Sequence, residues 1–411
     1  MNKKYRVIRD LPIKNFKKSD QPKVKVFLTK LFQKNYSVSH LLSDFHNTLG
    51  GAYFSYTELK LIFGNKYNQY LQQLEELQLI TVFKNYRTEY GHKLNVITPL
   101  FTLPFRYTTV EYGTKEEKIL AKYYAYKKKQ LGDYYWMFTS TYNISINITK
   151  KQFISLMKKK YSSYVAKKKF ENKDVLPLDE YVDTQVKQIY NTIKAFNKAT
   201  YREKLDYYSV DSTFGNRFYS IFTLLPNEIR ADYLSDFNNQ LDLKGSQVSI
   251  LAKWFKNYGL TAFVDDLNNN DIYLMMKEKY DLDNRDIAKV FMFKMIFGKL
   301  FIEGKHGNKF MNKYHQIFSG MYPQEGNLIF KLKGEKNTLK KQHSILAQKL
   351  QRLETSMFSK VWCELKKNRI RFISVHDEVI VRSKDVQKTE EIMNTIISDE
   401  LSGINVVINK K

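Results

Sequence analysis

Two apolar, strand-like segments of this chain each carry an aspartate. Asp242 lies in residues 240–243, and Asp377 interrupts the β-rich residues 372–381. A half-buried carboxylate is costly unless it is paired or binds a metal ion. Taken alone, the second segment is ordinarily interpreted as a solvated acidic turn. Two aspartates on adjacent strands would instead hold a pair of Mg²⁺ ions, which activate a 3′-hydroxyl and stabilise a leaving pyrophosphate.

A third stretch lies between the two aspartates and repeats a cation or a phenylalanine at every fourth position. Arg285, Lys289, Phe293 and Phe297 would share one face of a helix. Cations on such a face can clamp triphosphate oxygens, and an aromatic ring can stack on a base. The alternative is an ordinary amphipathic helix whose lysine lays its apolar stem along the core.

Positioning these residues requires both helices and short strands. The two aspartates need neighbouring strands, with Asp377 at the tip of a hairpin, and residues 285–298 need a helix. We therefore predict an α+β fold, with this chemistry in residues 206–411. Residues 106–205 are basic and mostly helical, and residues 1–23 read as a basic, flexible tail.

Residues 24–105 have the element order of a winged helix, in which two helices precede a β-hairpin. A generic helical domain with a hairpin would give the same order, so both interpretations stay open. The predicted elements are helices at 24–32, 39–49, 56–63 and 66–79, then strands at 80–83 and 94–97 joined by a turn through 90–92.

The charge of the chain favours a polyanionic partner. Lys and Arg total 68 against 42 Asp and Glu, which gives a formal net charge of +26. Nucleic acid is the expected partner for such a surplus. Aromatic residues adjoin basic runs, as Tyr123 and Tyr124 do before residues 127–129, so that rings could stack on bases. AT-rich codons would produce the same clusters without selection for binding.

Other features exclude several classes of protein. The single cysteine, Cys363, rules out an internal disulfide framework and a cysteine-rich zinc site. The sequence has no apolar run of about 18 residues that would span a membrane. Its basic N-terminus lacks the apolar core of a signal peptide. We expect a cytoplasmic protein with no membrane partner.

The three segments resemble the motifs of family A DNA polymerases, in the order that this family has them. Motif A has an Asp and, eight residues later, a run like Ile-Leu-Ala, which Asp242 and residues 250–252 match. Motif B has Arg, Lys, Phe and Tyr-Gly at spacings of four, which residues 285–298 match except at Phe297. Motif C is Val-His-Asp-Glu in a hairpin, as in residues 375–378. The resemblance covers about residues 210–400.

This resemblance implies a right-hand polymerase with palm and fingers in residues 206–411, fingers at about 270–330 and a thumb-like region in 106–205. It implies two Mg²⁺ ions, which Mn²⁺ could replace, held by Asp242, Asp377 and the Leu243 carbonyl, with Glu378 in support. The implied nucleotide-binding residues are Arg285, Lys289, Phe293, Phe297 and Gln247. The implied primer–template residues are Arg217, Arg230, Gln351 on a helix at 348–357, and His376.

The chain departs from the family at the sugar of the nucleotide. The family's Glu that blocks a ribose 2′-hydroxyl aligns with Gln247, and its tyrosine partner aligns with Phe297. Deoxynucleotides remain the first expectation. Residues before Asp242 offer no convincing set of exonuclease carboxylates, so we expect no proofreading.

The resulting prediction is a phage-like or mobile-element-like DNA-dependent DNA polymerase that uses nucleoside triphosphates. One alternative is a polymerase of relaxed sugar choice that acts as an RNA polymerase, a primase or a terminal transferase. Another is a non-catalytic replication protein that only binds DNA, for which residues 24–105 and the charge would suffice. The oligomeric state is not predicted.

Overall fold

The computed structural model describes residues 5–34, 52–87, 93–99, 107–170, 173–211, 215–298, 300–303, 309–334 and 342–410. The chain is a helix-rich α+β protein with small sheets, which confirms the predicted fold class. It divides into two units. The first comprises Met1–Lys159, Pro177–Val210 and Phe218–Ser235, and the second comprises Lys160–Leu176, Asp211–Arg217 and Asp236–Lys411.

The first half of the chain is mostly helical, with short strands in antiparallel pairs. Its helices are α1 (Gln21–Lys34), α2 (Tyr56–Phe63), α3 (Tyr67–Glu76), α4 (Lys115–Leu131), α5 (Tyr135–Thr141), α6 (Lys150–Phe170), α7 (Leu178–Gln185), α8 (Asn191–Lys198) and α9 (Asn227–Asp232). Its strands are β1 (Arg6–Ile8), β2 (Ala52–Phe54), β3 (Ile80–Arg87), β4 (Lys93–Pro99), β5 (Tyr107–Thr109), β6 (Ser209–Asp211) and β7 (Arg217–Tyr219).

Helices α2 and α3 precede the β3–β4 hairpin, in the order that the sequence predicts for residues 24–105. The Ser55 hydroxyl accepts a hydrogen bond from the Glu58 amide, and the Glu58 carboxylate accepts one from the Ser55 amide, so this capping box starts α2. Strand β2 completes a sheet of order β2–β4–β3. The expected helix at 39–49 and turn at 90–92 lie outside the described residues, and the winged-helix assignment stays a prediction.

The prediction of a flexible tail over residues 1–23 is wrong for residues 5–23. Strand β1 pairs antiparallel with β5, and α1 already begins at Gln21. Val7, Ile8 and Phe16 are buried. The apolar residues scattered among the lysines supply enough buried surface to hold the segment, which the basic composition obscured.

The second unit is built around a four-stranded antiparallel sheet of order β11–β12–β8–β13. The strands of this sheet are β8 (Phe237–Leu243), β11 (Phe372–Val375), β12 (Glu378–Arg382) and β13 (Ile408–Lys410). Strands β9 (Phe301–Glu303) and β10 (Lys309–Met311) form a separate antiparallel pair. The helices of the second unit are α10 (Ser246–Lys256), α11 (Ala262–Asn269), α12 (Ile272–Lys279), α13 (Arg285–Phe297), α14 (Lys313–Met321), α15 (Pro323–Gly334), α16 (Gln342–Lys367) and α17 (Val386–Glu400). Within the described residues, no helix has both the length and the apolar character needed to cross a bilayer.

A buried ion pair lies at the centre of the first unit. The Lys30 ammonium is 2.9 Å from an Asp206 carboxylate oxygen, and it stacks on the Tyr124 ring at 4.2 Å. The Tyr123 hydroxyl donates to the other Asp206 oxygen at 2.9 Å. Tyr123 and Tyr124 are therefore core residues that satisfy a buried charge, and the prediction that they stack on bases is wrong. Periodicity alone could not separate a buried aromatic face from an exposed one.

Removing the cation of this pair should strongly destabilise the first unit. We expect Lys30→Met to cost about 3–5 kcal/mol, because it leaves the Asp206 carboxylate buried without a counter-charge. Lys25→Met is the matched control on the same helix: Lys25 is half-buried, and no ion pair to it is seen among the described residues. The measurement is chemical denaturation followed by circular dichroism. Equal losses for the two variants would contradict the importance of the pair.

Candidate active site

The central sheet brings the two predicted aspartates to the same end of adjacent strands. Strands β8 and β12 pair antiparallel, with Asp242 directly opposite Glu378. Strands β11 and β12 form the expected hairpin, and the Leu243 amide donates to the Asp377 carbonyl at 3.2 Å. His376 makes the turn with φ of +57°, in the left-handed region that non-glycine residues seldom adopt. The sequence-predicted hairpin and strand pairing are thus confirmed.

The Asp377 carboxyl lies in an unfavourable place for a negative charge. Burial, and after it the neighbouring carboxylates of Glu354 and Asp242, raise its pKa to about 8 against the smaller effects of a backbone hydrogen bond and Arg217. Like charges held this close oppose ionisation of one another. A bound cation would remove this cost, because it supplies the missing positive charge.

The oxygen donors here fit Mg²⁺ or Mn²⁺. Asp242 and Asp377 offer carboxylates, and the main-chain carbonyl of Leu243 is the third predicted ligand. The described part of the chain contains no group of three or more His, Cys, Asp or Glu side chains placed to bind one ion. Hard cations that keep several waters and bind substrate phosphates need only one or two protein carboxylates.

Glu354 is a third carboxylate at this site, and the sequence analysis did not identify it. Glu354 lies on α16 and is only 2% exposed. Its carboxylate accepts hydrogen bonds from the hydroxyl of Ser246 at 2.7 Å, from the amide of Gln247, and from the guanidinium of Arg217. Its charge is therefore met by protein donors, unlike that of Asp377.

The same stretch of α16 also holds the predicted primer–template residue Gln351. A Cβ atom on Gly215 would lie 2.5 Å from the Gln351 side-chain oxygen and 3.0 Å from the Gln351 Cβ atom, so the Gln351 side chain would have to shift if residue 215 carried one. The Thr355 hydroxyl donates to the Gly215 carbonyl at 3.0 Å. Arg217, two residues further on, forms its ion pair with Glu354. Thus Gln351, Glu354 and Thr355 of α16 together fix the segment of residues 215–217, which contains the predicted primer–template residue Arg217.

Helix α13 shows the four-residue stripe on its less buried face. Arg285, Phe293 and Phe297 are half-buried, and Lys289 is exposed. The buried face of the helix is a different set of residues, namely Ile287, Ala288, Phe291, Met292, Met295 and Ile296. The Phe293 and Phe297 rings contact each other at 5.7 Å between centroids. The stripe is therefore not the core face, which leaves it available for a ligand.

Asp271 links this helix to the end of the sheet that carries Asp242, and no sequence pattern predicted its role. One carboxylate oxygen of Asp271 lies 3.2 Å from the Lys244 ammonium and 3.1 Å from the Arg285 guanidinium. The other oxygen caps α12 by accepting from the amides of Tyr273 and Leu274. Two cations thus share one anion close to Asp242, where a polyphosphate could compete for them.

Tyr273 places a buried hydroxyl at the same spot. The residue is 4% exposed, and its hydroxyl has no hydrogen-bond partner in the described structure. The Arg285 guanidinium stacks on its ring at 4.9 Å. The hydroxyl would lie 3.9 Å from a Cβ atom on Gly245, which turns the chain from β8 into α10 with φ of +68°. A buried hydroxyl without a partner is energetically costly, and a ligand oxygen that accepted a hydrogen bond from it would remove that cost.

Lys333 anchors the C-terminal end of α13. Its ammonium is buried and donates to the carbonyls of Ile296 at 2.6 Å and Gly298 at 2.8 Å. Burial lowers the pKa of Lys333 to about 7. A cation at the last carbonyls of a helix is favourable, and it fixes the helix end that carries Phe297.

Arg230, the remaining predicted primer–template residue, lies in the first unit. Its guanidinium donates to the Leu225 carbonyl at 2.5 Å and to Asn227 at 3.5 Å. The first unit also contains a cavity of about 550 Å³ whose charged lining residues are Arg6, Lys194, Lys198 and Glu203. Neither feature belongs to the cluster around Asp242 and Asp377.

We expect Asp377→Asn to stabilise the protein when divalent cations are absent. The folded pKa of Asp377, about 8, exceeds the ordinary 3.8, so the stabilising effect of its proton is complete below pH 3.8 and is lost as the pH rises through 8. Asparagine mimics the protonated side chain and should raise the melting temperature in EDTA most at a pH above 8. Addition of Mg²⁺ should stabilise wild-type protein more than the variant. Equal melting temperatures in EDTA would contradict the unfavourable charge.

Acid should destabilise the second unit through His315. Burial, with a smaller effect of Lys333, lowers the pKa of His315 from 6.5 to about 4. Between these values the unfolded chain binds a proton that the folded chain does not, so the free energy of unfolding falls as the pH falls from 6.5 to 4. His315→Gln should weaken this dependence, as measured by thermal denaturation across the window. A variant with the wild-type pH dependence would assign the effect to other groups.

Comparison with protein-family models finds no match to this chain. Comparison with curated proteins likewise finds no similar sequence. The functional conclusion therefore depends on the residues and geometry of the cluster itself.

Proposed function

We propose that the chain is a template-directed nucleotidyltransferase, specifically a DNA-dependent DNA polymerase of the family A type. The observation that carries this proposal is the pairing of β8 with β12, which sets Asp242 and Asp377 at one end of a small antiparallel sheet. The motif order supports it independently. Together they favour extension of a 3′-hydroxyl by a nucleoside triphosphate, without proofreading.

Metal ions at this site would activate the 3′-hydroxyl and neutralise charge on the leaving pyrophosphate. Asp242, Asp377 and the Leu243 carbonyl would hold them, while buried Glu378 supports Asp242 from the neighbouring strand. Arg285 and Lys289 bind the triphosphate. This binding requires Arg285 to exchange its Asp271 partner for phosphate oxygens.

The remaining residues position the base, the sugar and the primer. Phe293 and Phe297 lie on the half-buried face of α13, where their rings can stack on the nucleotide and on the template base. Gln247 borders the sugar. Arg217, Gln351 and His376 contact the primer–template, and Arg230 is proposed to do the same. The net charge of +26 supplies the attraction to phosphates that such binding needs.

In this proposal the four-stranded sheet belongs to the palm, the fingers span about residues 270–330, and residues 106–205 form the thumb-like region. Residues 24–105 are a winged-helix module that binds DNA beside the polymerase. Helices α2 and α3 followed by the β3–β4 hairpin support that module.

A polymerase of relaxed sugar choice is the second candidate. It is favoured by the residue types at positions 247 and 297, because neither an acidic side chain at Gln247 nor a hydroxyl at Phe297 guards the sugar. Incorporation of ribonucleotides as readily as deoxynucleotides, with or without a primer, would select this candidate. Tight DNA binding without turnover would select a non-catalytic replication protein.

Substitution of either aspartate should abolish catalysis and preserve DNA binding. We expect Asp242→Ala and Asp377→Ala each to reduce Mg²⁺-dependent primer extension at least about 10³-fold, since the metals supply several kcal/mol of charge stabilisation. Extension of a labelled primer and binding of the same duplex are measured together. Asp399→Ala, at an exposed position of α17, is the matched control. Persistent extension by either variant would show that the site is elsewhere.

A further inference from the structure

Glu354 connects two parts of the site that belong to different segments of the chain. One carboxylate oxygen accepts from Ser246 and Gln247, at the start of α10. The other accepts from Arg217, which follows Gly215 in the segment proposed to grip the primer–template. A single buried side chain on α16 thus holds a group on the nucleotide side and a group on the primer side.

The three donors leave Glu354 little capacity for other ligands. The residue is only 2% exposed, and both oxygens of its carboxylate already accept hydrogen bonds. Such bonds to a buried carboxylate are short and directional. Glu354 is therefore suited to orient its partners and not to hold a metal ion.

The partner whose orientation matters most is Gln247. It lies five residues after Asp242, in the first turn of α10. Donation of its amide nitrogen to Glu354 settles which way the amide points, because a carboxylate cannot accept from the carbonyl oxygen. The proposed function places the sugar of the nucleotide beside Gln247, at the position of the residue that blocks a ribose 2′-hydroxyl in the family that the chain resembles.

We propose that Glu354 is a positioning residue that sets the choice between deoxyribose and ribose by fixing the Gln247 side chain. This inference rests on the proposed function, since it requires a nucleotide at the Asp242–Asp377 pair. Held by Glu354, the Gln247 amide occupies the space of a 2′-hydroxyl. Released, it swings aside and admits ribose.

The test compares binding of Mg²⁺-dATP and Mg²⁺-ATP to the full chain, from the thermal stabilisation that each gives over a range of concentrations. Wild-type protein should bind dATP more tightly. Glu354→Ala should reduce the dATP preference about tenfold, the value of one hydrogen bond to a charged group. Gln247→Ala should reduce it as well, because it removes the side chain that fills the space, and so should Glu354→Gln.

The double variant Gln247→Ala with Glu354→Ala provides the decisive comparison. Its preference should equal that of Gln247→Ala alone, because Glu354 acts on the sugar only through the Gln247 side chain. A merely structural role for Glu354 would lower the preference further. Glu364→Gln is the matched control: Glu364 is on the same helix and pairs with Lys367 at the surface, so its variant should keep the wild-type preference.

Three results would overturn the inference: equal wild-type affinity for the two nucleotides, an unchanged preference in Glu354→Ala, or a double variant whose preference is lower than that of Gln247→Ala alone. Primer extension, measured in parallel, separates this inference from the proposed function. If the preference responds to Glu354 as expected but no primer is extended, the inference stands and the polymerase proposal fails. If primers are extended with a preference that ignores Glu354, the polymerase proposal stands and this inference fails.

Discussion

The second unit is organised around the repulsion between carboxylates gathered at one end of its sheet. Asp242 and Asp377 come from strands β8 and the β11–β12 hairpin, and Glu354 approaches from α16. Bringing three acids together costs free energy that a protein selected for stability alone would avoid. The arrangement makes physical sense where a ligand supplies the compensating charge, as a divalent cation would in the proposed function.

The acids of the site differ in how fully neighbouring donors and cations compensate their negative charge. Glu354 is satisfied internally by Arg217, Ser246 and Gln247, so its charge is stable in the resting fold. Asp271, farther out, is shared by Lys244 and Arg285. Asp377 has no comparable set of cations, and its pKa rises to about 8. Unequal compensation of neighbouring acids separates a ligand-binding carboxylate from structural ones.

The sequence was informative where local pattern decides structure. β-Branched residues around an acidic pair predicted the hairpin, and the spacing of Arg285 and Phe297 predicted a helix that the structure confirms. Glu354 escaped notice because its partners are 107 to 137 residues away, and periodicity carries no information about such pairs. The strand at residues 6–8 escaped because a basic composition outweighed a few apolar residues that burial makes decisive.

Helix α13 shows how the fold can keep a ligand-binding face rigid without burying it. Its core face is held by apolar packing, and its end is held by Lys333, whose ammonium donates to the carbonyls of Ile296 and Gly298. Gly298 is required there, because a Cβ atom would collide with the Lys294 carbonyl oxygen. The stripe from Arg285 to Phe297 therefore needs no ligand to become ordered. If the proposed function holds, a face prepared in this way would lose little conformational entropy on binding a nucleotide, so more of the binding free energy would be available for discrimination between nucleotides.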